Sequence, residues 1–444
     1  MKRTFLILLF AAVSAITFGQ KQWTLQECVD YAIANNIQIK QQELSVEGSE
    51  IELNSSINSR LPSLSAGASQ NFNFGRSPSM ATGVYEQNTS ASTSTGFSLS
   101  SNVSVFNGMR ISNQIKGNEL NLMAATEGLK KAKENLALNV ASYYLDILFK
   151  KELLKIAEQQ YSLTEKQVER TQIMANEGSI PTAQVYDIKS QLARDDLSVT
   201  NARNDLTLSL LNLSQLLNLN DNVGFDITEP LITMEGSIST LQNPDRIYNT
   251  ALSIKPHVKE AEYKLESSRI DIKIAKSNYW PSVSFGASYN NGFNHIFDSG
   301  ASNKSISDQI SNNQRQALGL NLSIPIFNRF QTRNQVRMAQ LTTENMALEL
   351  DNIKLSLYKE IQQAYQSALA AQSRYTSTGK AYEAAQEAYR YAEERYELRM
   401  LSAYDFNEAR TKLVTSLSEQ AQAKYDFIFR SKILDFYMGE QIEL

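Results

Sequence analysis

Two eight-residue segments, PSLSAGAS at residues 62–69 and PSVSFGAS at residues 281–288, agree at six positions and lie 219 residues apart. A chain that repeats itself over half its length is two copies of one structural plan, and every other feature has to fit that plan twice. The offset holds upstream without a gap: Ala32 aligns with Ala251, Ile39 with Val258, Lys40 with Lys259, Glu43 with Glu262 and Ile51 with Ile270. Both upstream stretches, residues 23–59 and 245–279, read as helices. Thr24 with Glu27 three residues on has the capping-box spacing. Pro62 and Pro281 end the helical pattern, because proline offers no N–H and disfavours helix in the residue before it.

From each proline the period changes to two. Leu64, Ala66, Ala68, Phe72 and Phe74 alternate with Ser63, Ser65, Gly67, Ser69, Asn71 and Asn73. Beyond a polar stretch at residues 76–94, Phe97, Leu99, Val103 and Val105 alternate with Ser98, Ser100, Asn102 and Ser104. The second copy does the same with Val283, Phe285, Ala287 and Tyr289, then, past a polar loop at residues 291–316, with Leu318, Leu320, Leu322, Ile324 and Ile326. Strands are expected at about 62–75, 95–107, 281–293 and 316–327. Each is long enough for a tilted crossing of a bilayer, with small polar side chains toward a wet lumen. A soluble β-sandwich shows the same alternation, but four strands in two widely separated hairpins are few for one.

The chain has one Cys and two His in 444 residues. Cys28 has no partner for an internal disulfide and reads as a small buried apolar residue on a helix. His257 falls in the helix repeat and His295 in a polar loop, neither with partners that make a catalytic constellation. No enzyme activity, cofactor or metal site is therefore expected. Lys2 and Arg3, an apolar run from Phe5 to Ile16, and small residues before Gln20 form an export signal over residues 1–20. Its removal takes the net charge from −4 to −6. A mildly acidic chain without basic clusters is not a nucleic-acid binder.

Past the second strand of each pair the halves realign at an offset of 221, with Phe106-Asn107 on Phe327-Asn328, Lys133 on Lys354 and Tyr144 on Tyr365. Long helices without proline follow, roughly residues 110–176 and 333–398, each about 100 Å at ~1.5 Å per residue. Seven-residue spacing runs through Val140, Ile147, Leu154, Tyr161, Val168 and Ala175, and through Ile361, Ala368, Tyr375, Tyr382, Tyr389 and Tyr396. Such seams specify coiled-coil packing. Each helix turns over and returns, at Gly178 and Pro181 in the first copy and near Ser402 in the second. The plan is thus a first repeat at 21–219, a linker at 220–243 holding a short strand near residues 223–227, and a second repeat at 244–444.

LQECVDYAIANN near the start, the paired strand openings, the exits VSVFNG and LSIPIFNR, and the hairpin ends GSIPTAQVYDIKSQL and YDFNEARTKL occur in one order, twice over. With these the mature chain resembles the TolC family of outer-membrane efflux proteins. The resemblance implies a mixed α and β membrane protein. It implies a homotrimer whose trimeric twelve-stranded β-barrel takes four strands per chain and continues as a long α-helical coiled-coil tunnel in the periplasm. It also implies an exit duct for small toxic compounds or secreted polypeptides, with outer-membrane lipid around the barrel and a periplasmic adaptor and an inner-membrane pump as partners. The alternative is a soluble periplasmic coiled-coil adaptor, which needs the heptads but not the strands. Trimerisation resolves a problem the residues raise by themselves, since four strands cannot close a barrel and open edges in lipid leave backbone groups unpaired.

The family's constriction carries acids after the second turn, which fall on Asp405 and Glu408. A ring of three copies of each would raise some pKa values and attract cations; two acids in a first helical turn also serve the helix dipole alone. Tyr396 matches a gate tyrosine. This chain departs from the pattern elsewhere: its usual basic partner falls on Leu401, Arg399 replaces the turn glycine, and Gln184 stands where an acid is common, with Asp187 one turn on. The closed-state latch is therefore expected to run through Arg399 or Arg395. Pro62, Pro281 and Pro325 mark the passages between helix and strand.

Overall fold

The computed structural model describes residues 22–75, 90–219, 224–230, 242–297, 303–440 and 442. The expected export signal at 1–20 lies outside the described residues, as do residues 76–89 of the first polar stretch and much of the 220–243 linker. In chain order the elements are β1 (Gln22–Trp23), α1 (Leu25–Asn35), α2 (Ile37–Asn58), β2 (Ser63–Gly75), β3 (Ser90–Asn107), α3 (Arg110–Asn176), α4 (Thr182–Leu216) and β4 (Asp226–Ile227). There follow α5 (Pro244–Ile254), α6 (Pro256–Ser277), β5 (Ser282–Ile296), α7 (Ile306–Asn312), β6 (Arg315–Ser323), α8 (Gln331–Glu397) and α9 (Ala403–Tyr437). The long helices α3 and α8 have 67 residues each, and the returning helices α4 and α9 have 35 each.

The chain divides into two compact units, Met1–Ser45 with Thr126–Lys259 and Asp351–Leu444, and Val46–Ala125 with Glu260–Leu350. The second unit holds one antiparallel sheet in the order β2-β3-β5-β6. Directly opposed residues share a face. One face runs through Ser65, Ser100, Ser288 and Ala317, and the other through Phe285, flanked by Val103 and Leu320. The apolar side chains are bare in the single chain: Phe74 is 81% exposed, Leu318 76% and Leu64 73%. Between Ser104 and Phe106 the register slips by one residue. The bulge at Val105 returns Phe106 to the face of its partner Val283.

Three boundaries differ from expectation. β6 ends at Ser323 and not at residue 327, because Pro325 cannot donate to a ladder. The 291–316 segment is not all loop: β5 continues to Ile296, and Ser305 caps α7 by accepting from the Asp308 N–H at 3.1 Å. β3 begins at Ser90 and not at residue 95. Pro62 and Pro281 lie immediately before β2 and β5.

In the first unit each upstream helix is two helices, broken at Asn36 and at Lys255. Asn36 restarts the helix by accepting from the Gln38 N–H at 2.8 Å, and its amide donates to Leu216 O. Lys255 precedes Pro256, which disfavours helix there. Its Nζ sits 3.3 Å from the centre of the Phe436 ring and 3.3 Å from Glu134. The core gathers Leu25, Cys28 and Ala32 of α1 with Val140, Tyr144, Ile147 and Leu148 of α3 and Leu213 of α4. β1 and β4 pair in parallel beside it, fastened by Tyr144, whose hydroxyl donates to Thr228 O at 2.8 Å. Desolvation pushes the Tyr144 hydroxyl up to about 12, so it stays a donor. Among the described residues no helix is long and apolar enough to cross a membrane, a fact that says nothing about the strands.

Candidate functional site: the hairpin tips

The tips belong wholly to the first unit. At the end of α3, Ser179 N–H reaches Met174 O at 2.9 Å and Gly178 N–H reaches Ala175 O at 3.0 Å, a Schellman closure with Gly178 at φ +72°. Pro181 then starts α4, with Gln184 N–H bonded to its carbonyl at 3.1 Å. The end of α8 repeats the closure: Met400 N–H to Arg395 O at 2.8 Å and Arg399 N–H to Tyr396 O at 3.0 Å. Here the left-handed residue is Arg399, at φ +59°, a conformation that disfavours a side chain.

The α8 seam packs as expected of a coiled coil. Ile361 and Ala368 are buried, Tyr375 stacks on Phe427 at 6.2 Å, and Tyr396 stacks on Phe406 at 4.5 Å with the planes 13° apart. Tyr389 meets the same Phe406 at 5.7 Å. Burial, reinforced by Glu393, pushes its hydroxyl up to about 12. The tyrosine stripe is packing against α9.

A cavity of about 510 Å³ lies between the tips. It brings Pro181, Gln184, Tyr396, Arg399 and Ser402 together with Arg170, Glu397 and Phe406. Asp405 and Glu408 are exposed in the first two turns of α9, one helical step apart on one face. Asp405 takes part in the cap: Ser402 accepts from its N–H at 3.1 Å and donates to its carboxylate at 2.8 Å. Glu408 pairs with Lys412 at 2.7 Å. Asp187 is exposed on α4. At the rim Arg170 and Glu397, 2.7 Å apart, join the two hairpins.

A second link was not foreseen from the sequence. Arg410, 5% exposed, is two residues beyond Glu408 and points between α3 and α4. Its Nη2 lies 3.0 Å from Asp195 of α4, itself 7% exposed. Its Nη1 donates to Thr164 at 3.0 Å and to Gln167 at 3.4 Å on α3. Gln160, with its amide oxygen turned inward, accepts from Nε at 2.7 Å. Thr164, fully buried, also donates to Asp195. Burial pulls the Arg410 guanidinium below its usual value, opposed by Asp195, but an arginine keeps its charge throughout the physiological range.

Among the described residues no cluster of His, Cys, Asp and Glu could hold a metal ion. The arrangement offers charge, a left-handed turn at Arg399 and a cavity.

A family profile described as "Outer membrane efflux protein" matches residues 28–219 and 247–440. Outer membrane protein TolC of Escherichia coli is 21% identical over 457 residues, covering 99% of this chain and 87% of its own. Outer membrane efflux protein BepC of Brucella suis is 18% identical over 333 residues, covering 75% of this chain and 69% of its own. Among solved structures, CusC superposes with a TM-score of 0.77 at 16% identity over 93% of this chain and 91% of that one. VceC of Vibrio cholerae gives 0.74 at 17% over 94% and 97%.

Proposed function

The chain belongs to the outer membrane efflux protein family, and from that we propose that it is the outer-membrane channel of a tripartite efflux or type I secretion system. The observation that carries the reading is the sheet: four antiparallel strands with one small polar face, one bare apolar face and two unpaired edges, β2 and β6. Three copies close those edges into a twelve-stranded barrel, lipid covers the apolar face and water fills the other. The polar face is nearly uncharged: Arg315, opposite Asn290, is its one charged side chain among the described strand residues. That surface is a passage and not a site of chemistry.

Control then belongs at the hairpin tips. Three copies of Asp405 and Glu408 around the narrow end form an acidic constriction, Tyr396 and Arg399 shape the cavity behind it, and Gln184 and Asp187 stand on the facing hairpin. A periplasmic adaptor bound to an inner-membrane pump delivers cargo there, and the barrel releases it outside. The test is deletion in the native host followed by parallel drug-susceptibility and secreted-protein profiling. The reading expects a loss in at least one; normal export in both overturns it.

A further inference from the structure

The outer end of β5 has a strand on one side only. β6 begins at Arg315, opposite Asn290, whereas β5 runs on to Ile296. On its other side β5 stays paired with β3 to the end, and Phe297 N–H continues in that direction to Ala91 O at 2.8 Å. In an antiparallel ladder the main chain faces a given neighbour at every second residue. Beyond Asn290 the groups that face away from β3 are those of Gly292, Asn294 and Ile296. Left bare, they form an open edge that invites wrong pairing.

Side chains fill all three places, and all of them are amides. Asn303 accepts from Ile296 N–H at 2.9 Å and donates to Ile296 O at 2.7 Å. Gln309 of α7 accepts from Asn294 N–H at 2.8 Å and donates to Asn294 O at 2.9 Å. Asn313 donates to Gly292 O at 2.7 Å, while Gly292 N–H is held by Asn291 Oδ1 at 2.7 Å. A primary amide offers a carbonyl oxygen and N–H groups on one planar unit, the same complement that a strand residue presents. Asn291 also donates to Ile310 O at 2.9 Å, and Gln309 to Lys304 O at 2.9 Å, so the segment is tied both to β5 and to itself.

We propose that residues 303–313 are a releasable strap at the outer mouth, latched to the sheet by side-chain amides where β6 is too short to reach. The role at the mouth rests on the channel reading; the latch does not. Because its amides carry no charge, the latch keeps its grip whatever the pH or salt outside the cell, as a latch of exposed ion pairs would not. It is also detachable. Each amide lets go by rotating its own side chain, so the strap lifts without unpairing β5 from β3, a local opening well below the cost of unfolding the sheet.

Trypsin added to intact cells reads the strap, because the peptide bond after Lys304 lies within it and the Lys304 carbonyl is one of its anchors. Asn303→Leu together with Gln309→Met keeps side-chain size and removes both two-bond contacts. Cleavage after Lys304, identified by fragment mass, should become at least about tenfold faster. In planar bilayers the same variant should carry a current that flickers, because a lifted strap enters its path. Asn312→Ala removes an amide that bonds within its own helix, to Asp308 O at 2.7 Å, and should change neither reading. Equal cleavage of wild type and double variant overturns the strap. Hydrogen exchange on the wild-type protein tests the latch without any substitution: the Asn294 and Ile296 amides should exchange at least about a hundredfold more slowly than free amides, and exchange at the free rate overturns it. Faster cleavage with a steady current overturns the role at the mouth, whereas folded wild-type protein that carries no current overturns the channel reading beneath it.

Discussion

Replacing Asp195 with Ala should loosen the tips far more than breaking the shorter ion pair at their rim. By distance alone, Arg170–Glu397 at 2.7 Å outranks Arg410–Asp195 at 3.0 Å. Burial reverses the order. The side chains of the rim pair are 62% and 52% exposed, and an exposed pair contributes roughly 0.2–1 kcal/mol. Those of the inner pair are 6% and 9% exposed, and removing one partner of a buried pair costs about 3–5 kcal/mol because the other charge stays behind. Thr164, Gln167 and Gln160 still bind the stranded guanidinium, which favours the lower end, about 3 kcal/mol. At ~1.4 kcal/mol per factor of ten, local opening becomes more than a hundredfold more populated. Trypsin cutting after Arg395 and Arg399 reads that opening in the folded protein. The expected result is cleavage on the order of a hundredfold faster for Asp195→Ala and less than about fivefold faster for Glu397→Ala. The double variant Asp195→Leu with Arg410→Met, which leaves no buried charge, should return most of the way to wild type. Equal rates for the two single variants would refute the burial argument.

Arg399→Gly removes a side chain from a left-handed turn and should stabilise the protein by about 0.5–1 kcal/mol, read as a higher thermal midpoint in detergent; a lower midpoint would mean that the side chain carries a compensating contact. Asp405→Asn with Glu408→Gln should lower cation selectivity in a salt gradient across planar bilayers, and unchanged selectivity removes these residues from the constriction. Burial holds the Lys255 ammonium below the ordinary 10.5, against the pull of Glu134, so the folded chain sheds that proton before the unfolded chain does. The contribution of Lys255 to stability should therefore rise with pH through the lowered value toward 10.5 and level off above it. The difference in melting temperature between wild type and Lys255→Met, followed from pH 8 to 10.5, should show that rise; a fall contradicts the sign.

Local rules made much of the fold legible. The alternation around Ser65 and Ser100, the proline stops at Pro62 and Pro281, and the left-handed Gly178 each follow from backbone sterics within a few residues. The break at Lys255 was also written locally, in the proline that follows it, but a sustained apolar pattern masks a break that keeps both helices on one core. Asn36 gave less warning, because nothing in the sequence before it stops the helix, and its amide holds the break in place through a bond to Leu216, 180 residues away. The Arg410 cluster was hidden for a different reason. Asp195 and Arg410 are 215 residues apart, and nothing near either one says that it is buried. Arg399 was recognised as a departure at the turn, but the sequence did not reveal that the chain would keep the glycine geometry with an arginine in it.

The central claim is that three copies of this chain enclose one continuous water-filled passage. Purified full-length trimers reconstituted into planar lipid bilayers test it most directly. The account predicts uniform stepwise conductance increments, one per inserted trimer, reduced by multivalent cations added on the helical side. Folded trimers that insert and carry no current would contradict it.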